Sequence, residues 1–449
     1  MNEHAAWQLA RFKDGADRVG LVWHDRPYTY GQLLQYAEEW ADELDARGVR
    51  PGDAVGVVGD YSPRAITCLL ALLARDCVLV PLARESADQH EQFFRIAELD
   101  HLFTLDAQDG HTHTRMPFRA DHALLMQLRS AGDAGLILFS SGSTGKPKAI
   151  VHALSPLLAK FRTLRHCYRT INFLLFDHIG GVNTMFYTLA NLGCTIVPED
   201  RSVGAVCRAI ATHRVELLPT SPSFMNLLLL QAAHAEYDLS SLKLITYGTE
   251  VMPERTLVAA NRAFPEARFQ QTYGLSEVGI LRSKSKSNGS LFVKVGGEDY
   301  ETKVHNGTLW IRAQTSMLGY LNAPSPFDAE GWFDTGDAVI HEGEFYRILG
   351  RQSDIINVGG QKVHPTEVEK VLADVPGVTD VAVRGEPHLL LGHVVTATVQ
   401  TEEDVSGVEM RRRITEHCKG RLQPYMVPVK VRVVKDSLVN HRFKKVRRA

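Results

Sequence analysis

The sequence is poor in the features that would assign it to a specialised class of protein. Its 449 residues contain only six cysteines, and no two of them form a Cys-x-x-Cys pair. Cysteines that lie far apart in apolar segments predict reduced thiols in a cytosolic protein, rather than a disulfide framework or a zinc site. Lys and Arg number 50 against 52 Asp and Glu, which gives a formal net charge of -2. A charge balance this even does not favour binding to nucleic acid.

Long apolar runs are also missing. The most apolar segments, ITCLLALLARDCVLVPL (66–82) and FMNLLLLQAA (224–233), are interrupted by charge or are too short to span a bilayer. The N-terminus, MNEHAAWQLARFKDGADR, lacks the apolar core of a secretory signal. We therefore expect a soluble cytoplasmic protein, a monomer or a homodimer, with no membrane or nucleic-acid partner.

Segments typical of helices and strands alternate through the first half of the chain. SPRAITCLLALLARD (62–76) predicts a helix with Ser62 as N-cap and Pro63 in its first position. It lies between DAVGVVG (53–59) and CVLVPL (77–82), which are typical of short buried strands. Such alternation predicts a parallel sheet with helices on its faces.

The pattern changes near residue 281. Period-two alternation with Asn-Gly pairs at 288–289 and 306–307 predicts antiparallel hairpins. After YRILGR (346–351) a turn-rich stretch leads into a compact run of helices and strands, which predicts a separate small α+β domain.

The most informative stretch is LFSSGSTGKPKAIVH (138–152). Its hydroxyls, glycines and lysines follow an apolar run, and such a loop offers N–H, O–H and ammonium groups to a polyphosphate. A P-loop needs four residues between its glycines and a Ser or Thr after the lysine. Here two residues separate Gly142 from Gly145, and Pro147 follows Lys146. The stretch therefore indicates a phosphate loop of another kind.

This stretch closely resembles the signature loop of the adenylate-forming superfamily, which contains acyl- and aryl-CoA ligases, nonribosomal-peptide adenylation domains and firefly luciferase. Further motifs follow in the family's order: ITYGTEVMP (245–253), QTYGLSEVG (271–279), GWFDTGD (331–337) and YRILGRQSDIINVGGQKVHPTEVE (346–369). The resemblance covers nearly the whole chain. The sequence departs from the family pattern at Ala149, where the family usually has glycine.

The resemblance implies a site for ATP and Mg²⁺. Tyr273 would stack on adenine, Ser276 would contact the α-phosphate, Asp337 would take the ribose hydroxyls and Arg351 the ribose or phosphate. Glu277 would hold Mg²⁺, as a hard carboxylate oxygen suits that ion. The remaining nucleotide-binding residues implied in this way are Ser140, Ser141, Gly142, Ser143, Thr144, Gly145, Lys148, Gly248, Thr249, Glu250 and Gly274.

The acid pocket is implied at LLFDHIGGVNTMFYTL (174–189). Here His178 corresponds to the pocket histidine of acyl- and aryl-CoA ligases, and Gly181 and Asn183 would face the acid. Ile179 then stands where amino-acid adenylation domains have an aspartate, which disfavours α-amino acids. Asp177 would contact the substrate and could deprotonate an incoming amine if the enzyme makes amides. A plain core histidine is the alternative for His178.

The C-terminus departs from the family pattern. Aligning the final Lys-x-x-Arg places Lys444 at the catalytic lysine, with Phe443 in place of a glycine and Asn440 in place of a threonine. Lys445 is the alternative if the register shifts by one residue. The hinge position, usually Asp or Lys, is Ser353. The pair Gly359-Gly360 matches the glycines that, in thioester-forming members, let a pantetheine arm approach.

The resemblance implies an α/β fold. A large N-terminal domain (1–352) would consist of two stacked mixed sheets with helices and a β-barrel-like subdomain, and a small mobile α+β domain (353–449) would carry the lysine. The reaction would be ATP-dependent activation of an aryl or medium-chain acid, followed by transfer to CoA or to the phosphopantetheine of an acyl carrier protein. Two alternatives stay open: amide formation with a free amine, and a homologue that binds nucleotide or acyl group without catalysis.

Overall fold

The computed structural model describes residues 2–141, 146–297, 299–439 and 445. Thirteen α-helices occur in these residues. They are α1 (Glu3–Asp14), α2 (Tyr30–Ala46), α3 (Pro63–Ala74), α4 (His90–Ile96), α5 (Ala123–Ala131), α6 (Leu154–Ala159), α7 (Ile179–Ala190), α8 (Val203–His213), α9 (Pro222–Leu230), α10 (Ala233–Glu236), α11 (Glu254–Ala263), α12 (Pro365–Leu372) and α13 (Gly407–Cys418). Among the described helices, none has the length and apolarity that a bilayer span requires.

One seven-stranded sheet forms the wall on which much of the site is built. Its strands are parallel except for the edge pair β1–β2. In spatial order they are β13 (Arg268–Gln271), β12 (Leu244–Tyr247), β11 (Leu217–Thr220), β9 (Arg169–Ile171), β10 (Cys194–Ile196), β1 (Val19–Trp23) and β2 (Arg26–Thr29).

A second seven-stranded sheet has a parallel centre, β7-β4-β3-β5, between antiparallel edges. Its order is β20 (Gly319–Tyr320), β8 (Pro147–Ala153), β7 (Gly135–Ser141), β4 (Val78–Ala83), β3 (Ala54–Gly59), β5 (His101–Leu105) and β6 (His111–Arg115). The predicted strands at 53–59 and 77–82 and the helix after Ser62 are therefore confirmed. Ser62 accepts from the N–H of Ala65, as an N-cap should.

The two sheets are stacked with helices between them. One apolar cluster contains Leu21 from the first sheet, Val57 and Leu138 from the second, and residues of α1, α2, α3, α6 and α7. Burial of this shared layer supplies the main hydrophobic stabilisation between the sheets. The outer faces are covered by α8, α9 and α11 on the first sheet and by α4 and α5 on the second. The prediction of stacked mixed sheets with helices is confirmed.

Antiparallel strands begin where the sequence pattern changes. A short hairpin, β14 (Tyr273–Leu275) and β15 (Gly279–Leu281), precedes a six-stranded antiparallel sheet. Its order is β16 (Ser283–Ser285), β17 (Val293–Val295), β22 (Phe345–Arg351), β21 (Phe333–Glu342), β19 (Thr308–Ala313) and β18 (Tyr300–His305). At the predicted Asn306-Gly307 turn both residues have positive φ, 50° and 79°, which matches the twist of a tight hairpin.

The small C-terminal domain has a core of its own. Its buried apolar residues run from Ile356 to Met426 and pack α12 and α13 against one sheet. That sheet has the order β24 (Gln361–Val363), β23 (Ile356–Val358), β26 (Gly392–Gln400) and β25 (Asp380–His388), and β27 (Lys430–Val434) pairs with β26. The large and small domains are thus confirmed, while the boundary between 352 and 353 stays a prediction.

Candidate active site

A cavity of about 1800 Å³ lies between the large domain and the C-terminal domain. Its walls come from α7, from strands β11–β13, from the hairpin β14–β15 and from β25 of the small domain. The predicted site residues on this wall are Ser140, Lys148, His178, Asn183, Gly248, Thr249, Gly274, Ser276, Glu277, Arg351 and Ser353. Residues from five separate sequence motifs therefore meet at one cavity.

Some predicted residues lie elsewhere. Gly142, Ser143, Thr144, Gly145 and Lys444 fall outside the described residues. Ser141 is the last residue of β7, directly before that gap. Asp177, Gly181, Glu250, Tyr273 and Asp337 are described, but they are not on the cavity wall.

A tyrosine from another part of the chain joins the predicted metal ligand to the phosphate loop. Tyr320 donates a hydrogen bond from Oη to Oε1 of Glu277 over 2.9 Å. The Lys148 ammonium lies 4.8 Å from the centre of the same ring, within the range of a cation–π contact. Burial, and next the Glu277 carboxylate, raise the pKa of Tyr320, so the phenol stays a hydrogen-bond donor at neutral pH.

Strand pairing places this tyrosine. Tyr320 is in the two-residue strand β20, which pairs with β8 next to Lys148. Asn322 fixes the same stretch of β8, since its Oδ1 accepts from Ala149 N–H and its Nδ2 donates to the Pro147 carbonyl. The backbone around Lys148 is thus held on both sides. The cation is presented to the cavity from a strand that is paired with β7 and β20.

A buried histidine supports Ser276. The Nε2–H of His152 donates to the Ser276 carbonyl oxygen at 2.6 Å. His152 is fully buried, and burial lowers its pKa to about 4, so the ring is neutral at pH 7. The histidine that follows the phosphate loop in the sequence therefore positions the Ser276–Glu277 turn from behind.

Asp337 is held by two neighbours. Arg351 lies opposite Asp337 in the β21–β22 pairing, with Nε 3.0 Å from Oδ1. Tyr273 donates from its phenol to Oδ2 over 2.5 Å. Burial raises the pKa of Asp337, while the Arg351 guanidinium acts in the opposite direction. A carboxylate oriented in this way can accept from a vicinal diol.

Tyr273 itself lies in an apolar environment. Its ring belongs to the apolar cluster of the antiparallel sheet and is 8% exposed. Burial, and next the Asp337 carboxylate, raise the pKa of its phenol, so it remains a donor. In this arrangement the tyrosine orients Asp337, and its predicted stacking on adenine stays a prediction.

The N-terminus of α7 and a buried lysine form the predicted acid wall. His178 is the N-cap of α7, and its Nδ1 accepts from Gly180 N–H at 3.2 Å. Asn183 faces the cavity one turn further on and accepts on Oδ1 from Lys160 Nζ at 2.6 Å. Lys160 also donates to the Ile280 carbonyl at 2.8 Å. Burial, and next the cationic Arg282 and Arg165, lower the pKa of Lys160 to about 7.

Two predicted acid contacts are not on this wall. A Cβ on Gly181 would come within 2.3 Å of the Leu175 carbonyl and 2.4 Å of the Tyr61 phenol. Glycine is therefore required for the close packing of α7, and this geometry does not support a contact between Gly181 and the acid. Asp177 is also buried, with 7% of its surface exposed.

Lys445 and Glu250 meet at the domain junction. Lys445 donates from Nζ to Oδ1 of Asp380 at 2.8 Å and to the Val381 carbonyl at 3.0 Å. Its backbone N–H donates to Glu250, which also accepts from Ser223. The Lys445 side chain is therefore held within the small domain, and its backbone contacts the large domain. Its side chain is already occupied by an ion pair.

The chemistry of the donor set fits a nucleotide triphosphate with its metal. A hydroxyl (Ser140) and an ammonium group (Lys148) stand on the wall near a carboxylate (Glu277), and a guanidinium (Arg351) lies on the same cavity. Cations and hydroxyls bind phosphate oxygens, and carboxylate oxygens bind Mg²⁺. These groups can bind the phosphates of a nucleotide together with a divalent cation.

Comparison with known proteins assigns the class. The model of the AMP-binding enzyme family matches residues 8–321, and that of the AMP-binding enzyme C-terminal domain matches residues 367–445. The chain belongs to the AMP-binding enzyme family, the adenylate-forming enzymes.

Individual relatives are more distant. The chain is 26% identical to indoleacetate–CoA ligase of Aromatoleum aromaticum over 96% of this chain and 94% of that protein. The fold is similar to ATP-bound MatB from Rhodopseudomonas palustris, with TM-score 0.82, 22% identity and coverage of 98% and 97%. It is also similar to the amide bond synthetase McbA from Marinactinospora thermotolerans, with TM-score 0.77, 21% identity and coverage of 99% and 98%.

Proposed function

We propose that this protein is an acid–thiol ligase of the cytoplasm. It activates a carboxylic acid with ATP and transfers the acyl group to CoA or to a carrier-protein phosphopantetheine. The acid is an aryl or medium-chain acyl acid. The observation that carries the proposal is the single cavity on which Ser140, Lys148, Glu277 and Arg351 share a wall with His178. A nucleotide site and an acid site that open into each other are what adenylate formation requires.

In the first step an oxygen of the acid carboxylate attacks the α-phosphorus of ATP. The bond to the β-phosphate oxygen breaks, and pyrophosphate leaves with the electron pair. Lys148 and Ser140 hold the leaving pyrophosphate, and Arg351, on the cavity wall, holds the ribose together with its partner Asp337, which would have to reach the ribose from behind the wall. Mg²⁺ bound at Glu277 would offset charge on the phosphate oxygens. Most of the catalysis is positioning and charge stabilisation.

The predicted catalytic lysine is Lys444, whose ammonium would bridge the acid carboxylate and the α-phosphate. Lys445, the alternative, also lines the cavity, but its ammonium is paired with Asp380, and this pairing supports Lys444. Ser353, on the cavity wall between the domains, keeps its proposed role as the hinge. His178 would contact the acid from the N-terminus of α7.

In the second step a thiol sulfur attacks the acyl carbon and AMP leaves. The Gly359-Gly360 turn between β23 and β24 supports a thiol acceptor. Both glycines have positive φ, 58° and 87°, and a Cβ on Gly360 would have no neighbour within 4 Å. An open glycine turn lets a narrow chain such as a pantetheine arm approach the backbone.

Amide formation is the second candidate. It rests on the similarity in fold to McbA, whose name states that it makes amide bonds, while Asp177, the predicted base, is buried and lies off the cavity wall. Parallel chromatographic assays of acid, ATP and CoA, and of acid, ATP and amine, separate the two reactions. An acyl-CoA product supports the thiol ligase, whereas amide without acyl-CoA contradicts it.

The third candidate, a homologue without catalysis, rests on the unusual ending around Asn440 and Phe443. Acid-dependent pyrophosphate release contradicts that candidate.

A further inference from the structure

The register of the parallel sheet sets the depth of the acid pocket. Pairing across β11, β12 and β13 places Leu217, Leu244 and Arg268 in one row, and Pro219, Thr246 and Gln270 in the next. All six residues line the cavity, as do Gly248 and Thr272 at its nucleotide end. Four residues of strand separate Arg268 from Thr272, and this corresponds to about 13 Å.

Helix α7, on the opposite wall, gives about the same depth for the acid pocket. His178 stands at the start of α7 and Tyr187 near its end, and both line the cavity. Nine residues of helix correspond to about 13 Å. At the far end the Tyr187 phenol donates to the His166 carbonyl at 3.4 Å. Arg165 and Arg268 both lie close enough to this phenol to affect its pKa.

The far end of the pocket is cationic. Arg165 and Arg268 line it, and Lys160 stands beside the wall at Asn183. The carboxylates on the cavity wall, Glu277, Asp354 and Glu386, lie instead at the nucleotide and C-terminal-domain end. Within residues 2–141, 146–297 and 299–439, no carboxylate forms an ion pair with Arg165, Arg268 or Lys160. Burial is the main cause of the lowered pKa of Lys160, and Arg282 and then Arg165 lower it further.

An anion at this end would balance these groups. A guanidinium pairs well with a carboxylate because its fork of N–H donors matches the two oxygens. Arg165 and Arg268 are both exposed at this end, so a neutral acyl chain or an unsubstituted aryl ring leaves them hydrated, whereas an anionic group that reaches them gains a charge-assisted contact.

We propose that the acid activated here carries a second anionic group, most simply a second carboxylate, at the end remote from the reacting carboxyl. Arg165 and Arg268 bind that group, and Asn183 with Lys160 forms the polar wall between the two ends. This inference rests on the proposed function and narrows its substrate to dicarboxylic acids long enough to span the pocket.

The test is ATP–pyrophosphate exchange without thiol. It uses adipic, suberic, sebacic and dodecanedioic acids, each paired with the monocarboxylic acid of the same chain length. We expect at least one diacid to exceed its monoacid by about tenfold or more in kcat/KM. In Arg165→Gln and Arg268→Gln the ratio of diacid to monoacid should fall about 10- to 100-fold, the effect of losing one charge-assisted hydrogen bond.

Controls separate charge from shape. Arg268→Lys keeps the charge and should retain part of the preference. Arg262→Gln removes an exposed arginine from α11, outside the cavity, and should keep the full ratio. Thermal melting of each variant verifies that it is folded.

The other outcomes overturn the inference. Monoacids that match or exceed every diacid contradict it and leave the proposed function intact. A diacid preference that survives both glutamine variants also contradicts it, as does a rise in KM for CoA with the acid preference unaltered. No exchange with any acid of either series contradicts the inference, and the proposed function is contradicted as well only if aryl acids also give no exchange.

Discussion

The phenol of Tyr320 donates a hydrogen bond to the Glu277 carboxylate over 2.9 Å. The two residues come from different motifs, and the same tyrosine ring lies beneath the Lys148 ammonium. A proposed metal ligand and a proposed phosphate-binding cation are therefore positioned by one side chain. Glu277 thus accepts a hydrogen bond from a residue that does not itself line the cavity.

Replacing Tyr320 with Phe should weaken Mg²⁺ use. The ring stays under Lys148, but Glu277 loses a hydrogen bond of the charged kind, which is worth about 1.5–3 kcal/mol. We expect kcat/KM for ATP to fall about tenfold and the Mg²⁺ concentration for half-maximal pyrophosphate release to rise. Tyr346→Phe is the matched control, since that hydroxyl contacts Thr302 outside the cavity. An unchanged Mg²⁺ dependence would show that Tyr320 does not position Glu277.

Arg351 and Asp337 should be energetically coupled. Arg351 Nε lies 3.0 Å from Asp337 Oδ1, so each single change, Arg351→Gln or Asp337→Asn, disturbs the partner. We expect each single change to raise KM for ATP. The free-energy loss in kcat/KM of the double variant should be smaller than the sum of the two single losses, with a coupling energy of about 1 kcal/mol. Steady-state kinetics on the wild type, the two single variants and the double variant completes this double-mutant cycle. Strictly additive losses would mean that the two residues act independently.

The neutral state of His152 predicts a pH dependence of stability. Its pKa falls from 6.5 to about 4 on folding, so between these values the unfolded chain binds a proton that the folded chain does not. The free energy of unfolding therefore decreases as the pH is lowered from 6.5 to about 4, by about 3 kcal/mol across the window.

His152→Gln keeps an N–H for the Ser276 carbonyl and removes the titration. Urea unfolding at several pH values should show a flatter dependence for this variant than for the wild type. His305→Gln, at an exposed histidine, is the control. An equally steep dependence in His152→Gln would assign the acid sensitivity to other groups.

The two adjacent lysines should behave differently. Lys445→Met breaks a largely buried ion pair with Asp380 and should destabilise the small domain by about 3 kcal/mol. Lys370→Met breaks the exposed pair with Glu254 across the same junction and should cost less than about 1 kcal/mol. Lys444→Ala should instead abolish adenylation, because its ammonium is the group proposed to bridge the acid carboxylate and the α-phosphate. If Lys444→Ala keeps full exchange activity, the lysine assignment is wrong.

Local sequence signals predicted much of the fold. Ser62-Pro63 marked the start of α3, and Asn306-Gly307 marked a hairpin, because caps and tight turns depend on a few adjacent residues. Ordered motifs predicted that the segments around Lys148, Ser276 and Arg351 serve one site, and the structure brings them to one cavity.

The residues that the sequence did not indicate depend on long-range packing. Tyr320 reaches Glu277 through a two-residue strand whose partner β8 is distant in the chain, and so short a strand has no periodicity to recognise. Lys160, Arg165 and Arg268 lie in no motif, and only the strand register brings Arg268 to the pocket. The packing of Gly181 against Tyr61 likewise depends on two elements far apart in sequence.

ATP–pyrophosphate exchange in the absence of thiol tests the central claim most directly, because it reports reversible adenylate formation alone. The proposal predicts exchange that requires both Mg²⁺ and a carboxylic acid and that is reduced at least about tenfold in Glu277→Gln. Exchange that proceeds equally without acid, or no exchange across aryl, medium-chain and dicarboxylic acids, would contradict it.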